Sequence, residues 1–336
     1  MSDTVQTSSL IQLATIFRDD IVKQINRAAP LTSLLRAERG YNASGPNWVA
    51  QSSGHAARTH SEGASFDGAA SDAQAQATLG WGLYDTSFVV TDEAMARAAA
   101  GGNPMGNVKL FAKNMLDAAE QLGKKIEGDL FTGTGSNSII GLADAIDDSN
   151  TYAGINRASA TYWRSTVKAP GTLTTLSKAQ IEGDLAEISV AGGMRPNLAV
   201  CSPLVFAKVL GLFDSERQFM TPTGSNGGKP VLGDPSLAVA YVSGCMFVEA
   251  PDGYASANNG SIYYLNSNHV HMEYIPYVEV AGFTSMALSM PSLPFALDVV
   301  MGAKTSHASK GVLRCQVQLV VDRPNTMGVR QDIQLA

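Results

Sequence analysis

The sequence predicts an α+β chain. Three observations carry this: one helical pattern far longer than the rest, a middle stretch that alternates strand and helix patterns, and a C-terminal part built of strands. The middle stretch reads as a compact α/β domain between the long helix and the β-rich C-terminal part.

The elements follow in order. Residues 8–28 carry Leu10, Leu13, Phe17 and Ile21 at three-to-four spacing, the mark of an amphipathic helix, with Thr7, Ser8 and Ser9 as N-cap candidates and Pro30 as the stop. Residues 51–80 are poor in anchors. Of these 30 residues, 17 are Ala, Ser or Gly, and Phe66 and Leu79 are the only large apolar side chains. Such a stretch cannot bury enough surface to offset its own ordering entropy. It reads either as a linker or as a long loop ordered against a neighbouring subunit. Leu79, Trp81 and Leu83 then alternate as a strand does, and Thr91, Asp92 and Glu93 open a short helix ended by Gly101-Gly102.

Asn103-Pro104 starts the long helix, predicted over 104–131. Val108, Phe111, Met115, Leu122 and Ile126 form its apolar stripe, and Lys113, Asp117, Glu120, Lys124 and Glu127 its polar side. Its length is about 40 Å at 1.5 Å per residue, enough for a spine across a flat molecule. In the middle, about 136–255, Ser177 and Gln180 form a capping box for a helix ending at Gly192-Gly193. Asn197–Cys201 reads as a short apolar strand, Ser202-Pro203 caps a helix over 203–213, and Val239–Val248 reads as one buried strand. Towards the C-terminus, Ser261–Leu265, His269–Tyr274 and Val312–Val321 read as strands. The last alternates Leu313, Cys315, Val317 and Leu319 with Val312, Arg314, Gln316 and Gln318, as expected of a half-covered antiparallel sheet.

Composition narrows the function. Charged residues make up 16% of the chain, against about 25% in average proteins. Either the protein is an ordinary small-residue-rich globule or part of its surface is covered by other subunits. Net charge is −6, and no basic run offers a phosphate track, so sequence-specific nucleic-acid binding is not expected. Cys201, Cys245 and Cys315 lie far apart in apolar runs, which supports neither a zinc knuckle nor a disulfide framework. The N-terminus lacks the pattern of a secretory signal, and no apolar run is long enough to span a membrane.

Motifs that carry chemistry are sparse. His269 and His271, at i and i+2 on a predicted strand, with Glu273 continuing that face, could hold a metal; an interface or surface strand is the preferred reading. Gly133-Thr-Gly135 follows a helix instead of opening one, so it is no phosphate-binding loop. Asp144, Asp147 and Asp148 lack calcium-loop spacing and read as a solvated acidic turn. The expectation is therefore no enzyme, no catalytic residue, no metal and no cofactor.

Residues 129–168 carry a resemblance. Asp129-Leu130-Phe131, Gly133-Thr134-Gly135, Gly141-Leu142, Tyr152, Gly154-Ile155, Arg157 and Tyr162-Trp163-Arg164-Ser165 stand in the order found in a family of tailed-bacteriophage major capsid proteins. The chain departs at Ala153, where the pattern has a second Gly. The order extends over most of the chain, and the sequence resembles the Hong Kong 97-type fold, also used by encapsulin shells. The resemblance implies an N-terminal arm at 1–40 and a first part of a peripheral domain at 41–135, with an extended loop at 48–88 and the spine helix at 104–131. It further implies an axial domain at 136–255 and a second peripheral part, rich in strands, at 256–336. The implied function is self-assembly into pentamers and hexamers of an icosahedral head shell around double-stranded DNA. The implied partners are copies of itself, together with portal, scaffold and decoration proteins and weak non-specific contact with the packaged DNA. The implied place is the virion, after synthesis in the host cytoplasm, with no membrane partner. On this reading Phe17, Arg58, Phe66, Trp81 and Tyr84 are inter-subunit contacts, and Arg157, Tyr162 and Trp163 are structural anchors. The alternatives are an encapsulin-like nanocompartment and, from another class, a metalloenzyme using His269, His271 and Glu273.

Overall fold

The computed structural model describes residues 29–51, 61–62, 74–100, 106–213, 239–250, 255–256, 259–275, 284–288, 297–301 and 308–335. The helix expected at 8–28, with Phe17, lies outside the described residues, as do Arg58, Phe66 and Asn103-Pro104.

The first part comprises α1 (Pro30–Leu34), β1 (Arg36–Arg39), β2 (Asn47–Gln51), β3 (Gln74–Thr78), β4 (Gly82–Thr91), α2 (Asp92–Ala100) and the spine α3 (Gly106–Thr132). The middle comprises α4 (Leu142–Ala145), β5 (Thr151–Tyr152), β6 (Ile155–Asn156), a 3-10 turn (Thr161–Trp163), β7 (Thr166–Lys168), α5 (Lys178–Gly192), β8 (Leu198–Cys201), α6 (Pro203–Leu212), β9 (Val239–Val242) and β10 (Cys245–Glu249). The C-terminal part comprises β11 (Ala255–Ser256), β12 (Asn259–Leu265), β13 (Val270–Ile275), β14 (Thr284–Leu288), β15 (Leu297–Met301), β16 (Ala308–Val321), a 3-10 turn (Pro324–Thr326) and β17 (Gly328–Gln334).

Two sheets organise these elements. The first runs β1-β13-β16-β15-β14, with β4 on the other edge of β16. The second runs β7-β17-β12-β8-β10-β9. The window 51–80 opens and closes in a ladder: β2 and β3 pair antiparallel, Asn47 opposite Thr78 and Gln51 opposite Gln74.

The spine lies on β4 and β16, and its stripe is buried as expected at Phe111, Met115, Leu122 and Ile126. Phe111 meets Phe88 of β4 edge to face, centroids 5.2 Å apart. Glu127 departs from the expected polar side, being fully buried. Its Oε1 accepts from the Leu31 backbone N–H at 3.2 Å. This N–H belongs to the first turn of α1, which has no side-chain cap of its own and needs an acceptor. A carboxylate is needed inside because a neighbouring helix end brings an orphan donor there.

The second sheet is a shared wall. Leu198, Val200, Val248, Tyr263 and Val329 join the spine-helix core on one side. Ala199, Cys201, Phe247, Ile262, Tyr264 and Ile333 face α5 and α6 on the other. A strand covered on both faces loses alternation, which is why Leu198–Cys201 is apolar throughout. The capping box at Ser177 and the left-handed C-cap at Gly193 form as read.

Three further readings are corrected. The single strand expected over 239–248 is a hairpin, β9 and β10, turning at Ser243-Gly244 with both at positive φ. β12 and β17 belong to the second sheet, next to β8 and β7 respectively, although sequence order grouped them with the other C-terminal strands; hydrogen bonding returns the chain to the middle part twice. On β16, Leu313, Cys315, Val317 and Leu319 are fully buried as expected, but so is Gln318 of the other face. Its Oε1 accepts from the Ile140 N–H at 3.1 Å, so the segment after the spine covers that end of the sheet.

Candidate functional site

The segment following the spine is built around close backbone approach. Gly133 N–H donates to the Asp129 carbonyl and Gly141 N–H to the Gly133 carbonyl, both at 2.8 Å. A Cβ on Gly133 would stand 2.1 Å from the Ile139 carbonyl oxygen. The Gly-Thr-Gly and Gly-Leu elements are thus a packing requirement. Between Tyr152 and Ile155 the chain turns in two residues, Ala153 (φ 51) and Gly154 (φ 80). Both central residues are left-handed, as in a type I′ turn. This explains why glycine suits position 153, where the chain carries Ala.

Arg157 is the centre of this segment. It is fully buried. Its Nε donates to the Trp163 carbonyl at 3.0 Å and its Nη1 to the Asp144 carbonyl at 2.9 Å. Its Nη2 donates to the Ala145 carbonyl. The guanidinium also stands 5.2 Å from the Tyr152 ring centroid. Burial pulls its pKa down, while Tyr152 and the Asp147, Asp144 and Asp148 carboxylates oppose that. Trp163 is buried, and its Nε1 donates to the Tyr152 carbonyl at 3.3 Å. Tyr162 is partly buried and meets Trp163 edge to face. The fork thus ties the C-terminal end of α4 to the 3-10 turn.

Asp147 completes the turn. Its Oδ1 accepts from the N–H groups of Ser149 (2.7 Å) and Asn150 (3.1 Å). Burial raises its pKa, but these bonds, the Ser149 hydroxyl and Arg157 outweigh it and leave the pKa below the ordinary value. A depressed carboxylate contributes stability that is present above its unfolded pKa of about 3.9 and is lost as pH falls through the lower folded value. D147N is therefore expected to melt below wild type near neutrality, with the two melting curves converging as pH falls below about 4. Thermal unfolding across that range checks it; a gap that widens in acid would refute the assignment.

Of the residues read as inter-subunit contacts, two are described. Trp81 is partly buried, and its indole N–H donates to the Asn42 carbonyl at 3.1 Å. Tyr84 is 6% exposed, and its hydroxyl donates to Asp129 Oδ2 and accepts from the Ile139 N–H, both at 2.9 Å. Its side chain is therefore taken up inside the subunit, where burial raises the phenol pKa. Other large apolar side chains are exposed among the described residues. Tyr41, Val49, Leu83 and Val89 lie in the first part of the chain, and Val190, Leu204 and Tyr241 on α5, α6 and β9 of the second-sheet lobe. Sequence periodicity could mark these only as helix or strand positions.

The histidine pattern is divided by the structure. β13 begins at Val270, so His269 sits in the preceding turn. Its Nδ1 lies 2.9 Å from Asp322 Oδ1. His271 and Glu273 do share a face, and the third member of their group is Glu38 of β1, which no local spacing could have indicated. The cysteines are buried free thiols; burial pushes the Cys245 thiol up to about 12 and raises Cys201 and Cys315 as well, so none is a ready nucleophile. Among the described residues, no helix is long and apolar enough to cross a membrane.

No protein-family model and no curated protein matches the sequence. Solved structures do. A chain of the cyanophage A-1(L) capsid asymmetric unit superposes with a TM-score of 0.72 at 19% identity, covering 90% of this chain and 92% of that one. A chain from the capsid of an empty GTA particle has a TM-score of 0.58 at 12% identity, covering 91% and 90%. A chain from Mycobacterium phage Bobi has a TM-score of 0.52 at 11% identity, covering 90% and 89%. The agreement covers about nine-tenths of this chain in each case, and on it this chain has the Hong Kong 97-type capsid fold.

Proposed function

We propose that this protein is the major capsid protein of a tailed bacteriophage, assembling as pentamers and hexamers into an icosahedral shell around double-stranded DNA. One observation carries the reading: end-to-end agreement of fold with a cyanophage capsid chain, over nine-tenths of both.

The residues support it. The spine and first sheet form the peripheral part, and the second-sheet lobe the axial part. Val190, Leu204 and Tyr241 are 86%, 59% and 67% exposed on that lobe. Large apolar side chains at this exposure suit contact between subunits around a symmetry axis, since an obligate interface commonly buries more than about 2,000 Å². The net charge of −6 suits weak, non-specific contact with DNA and not a phosphate-neutralising groove.

The purified protein is expected to run as rings or closed shells in size-exclusion chromatography with light scattering, and electron micrographs should show icosahedral particles. A stable monomer at high concentration and moderate salt would overturn the proposal. Particles that protect a protein cargo instead of nuclease-resistant DNA would move it to the encapsulin-like alternative.

A further inference from the structure

We propose that Glu38, His271 and Glu273 form a structural zinc site that clips β1 to the first sheet. The three side chains come from two adjacent parallel strands and place one ligand atom each within 4.8 Å of one another. Glu38 and Glu273 are register partners across the β1–β13 ladder, and His271 stands two residues before Glu273 on the same face.

The distances separate a metal site from a hydrogen-bonded cluster. His271 Nε2 is 3.5 Å from Glu273 Oε1 and 3.7 Å from Glu38 Oε2. A nitrogen donating to a carboxylate sits at about 2.7–3.2 Å, so the imidazole hydrogen-bonds to neither. A tetrahedral zinc ion with bonds of about 2.0–2.2 Å spaces its ligand atoms by roughly 3.3–3.6 Å. Octahedral magnesium, at about 2.0–2.1 Å, would draw neighbouring ligand atoms to roughly 3 Å and prefers oxygen alone. Calcium is likewise an oxygen-seeking ion. An imidazole beside two carboxylates at this spacing suits zinc.

Two further features point to a ligand. The His271 side chain is 8% exposed, and its Nε2 faces both carboxylates at distances beyond a hydrogen bond. A buried imidazole nitrogen aimed at two carboxylates without bonding to either is a costly arrangement unless something joins them. Glu38 and Glu273 also bring like charges opposite each other on neighbouring strands, which destabilises a ladder. Arg36 meets only part of this charge: its Nη2 contacts Glu38 Oε1 at 2.6 Å, leaving Oε2 turned to His271, and the arginine is largely exposed. A divalent cation would neutralise both carboxylates and take the lone pair of His271 Nε2, with a water closing the fourth position on the side where Glu38 reaches solvent.

The consequence is mechanical. Among the described residues, β1 is a four-residue edge strand paired with β13. A metal bridge between β1 and β13 joins chain segments far apart in sequence, where closing a long loop contributes most. It would hold the root of the N-terminal segment against the sheet. The role is structural, and the inference stands whether or not the protein forms a shell.

The test uses the full chain, stripped with EDTA and titrated with zinc chloride by calorimetry. One zinc per chain is expected, with a melting temperature that rises with zinc concentration. E38Q and E273Q should each weaken binding at least about tenfold, whereas H269N should bind as wild type. Without zinc, E38Q should melt no lower than wild type, since it removes a like-charge pair; this also shows that the variant folds. Cobalt in place of zinc should give the intense visible absorption of a four-coordinate ion. Binding in E38Q and E273Q equal to wild type would overturn the site, as would magnesium displacing the zinc or no zinc uptake at all.

Discussion

Arg157→Ala is expected to destabilise the protein by about 4 kcal/mol or more, leaving it insoluble or unassembled. Three backbone carbonyls, of Trp163, Asp144 and Ala145, have their donors in this one guanidinium. Each buried acceptor left without a donor costs roughly 1–3 kcal/mol, and the vacated volume adds to that. Arg157→Lys should not restore stability, because a single ammonium cannot present a planar fork to acceptors on two segments. Trp163→Ala removes the ring over the same loop and should cost about 3–5 kcal/mol. The two losses should not add, since both release the same turn. Denaturant unfolding of the single and double variants measures this. A variant at Arg157 that unfolds at the wild-type midpoint would show that the fork is replaceable.

The second large effect is expected at Asp184. Its carboxylate, on α5, meets Arg330 of β17 in a two-pronged contact, Nε to Oδ2 at 2.5 Å and Nη2 to Oδ1 at 2.6 Å. The Tyr264 hydroxyl on β12 donates to Oδ2 at 3.4 Å. The side chains are 4% and 10% exposed, so water offers little compensation if one is removed. Asp184→Ala should cost about 3–5 kcal/mol, most of it the cost of leaving Arg330 buried and uncompensated. Asp184 raises the Arg330 pKa against the effect of burial, and an arginine keeps its proton even without that carboxylate, so deprotonation offers no escape. Replacing both, as Asp184→Leu with Arg330→Met, should recover much of the loss. Equilibrium unfolding of the single and double variants decides it; a double variant no better than D184A would mean the pair carries net stability of its own. The pair fastens α5 to the second sheet, so its loss should loosen the lobe that carries Val190, Leu204 and Tyr241.

These two sites mark where sequence reasoning stops. Arg157 stood within an ordered run of Tyr, Gly, Arg and Trp, so its importance was legible, but its three acceptors were not. Backbone carbonyls carry no sequence signal, and their position depends on how a loop folds back. Asp184 and Arg330 had no local sign at all. They are separated by most of the C-terminal half of the chain, and only the insertion of β17 between β7 and β12 brings them together. Glu127 was misplaced for a related reason. A helical wheel sorts residues by angle, while the orphan N–H of Leu31 that requires a carboxylate there comes from a different helix.

Local patterns by themselves determined the spine helix and its apolar stripe, the capping box at Ser177, the buried strand Leu198–Cys201 and the amphipathic face of β16. Each depends on residues within a few turns or a few strand positions, where period and capping chemistry act directly. The tertiary structure alone decided which sheet each C-terminal strand joins, that 239–248 is a hairpin, that Gln318 is covered, and that His271 and Glu273 face Glu38 while His269 turns to Asp322. Those outcomes depend on contacts between distant segments. A strand's own residues specify that one face must be buried; what buries it, and which charge stands opposite, is set by the neighbour that the fold brings there.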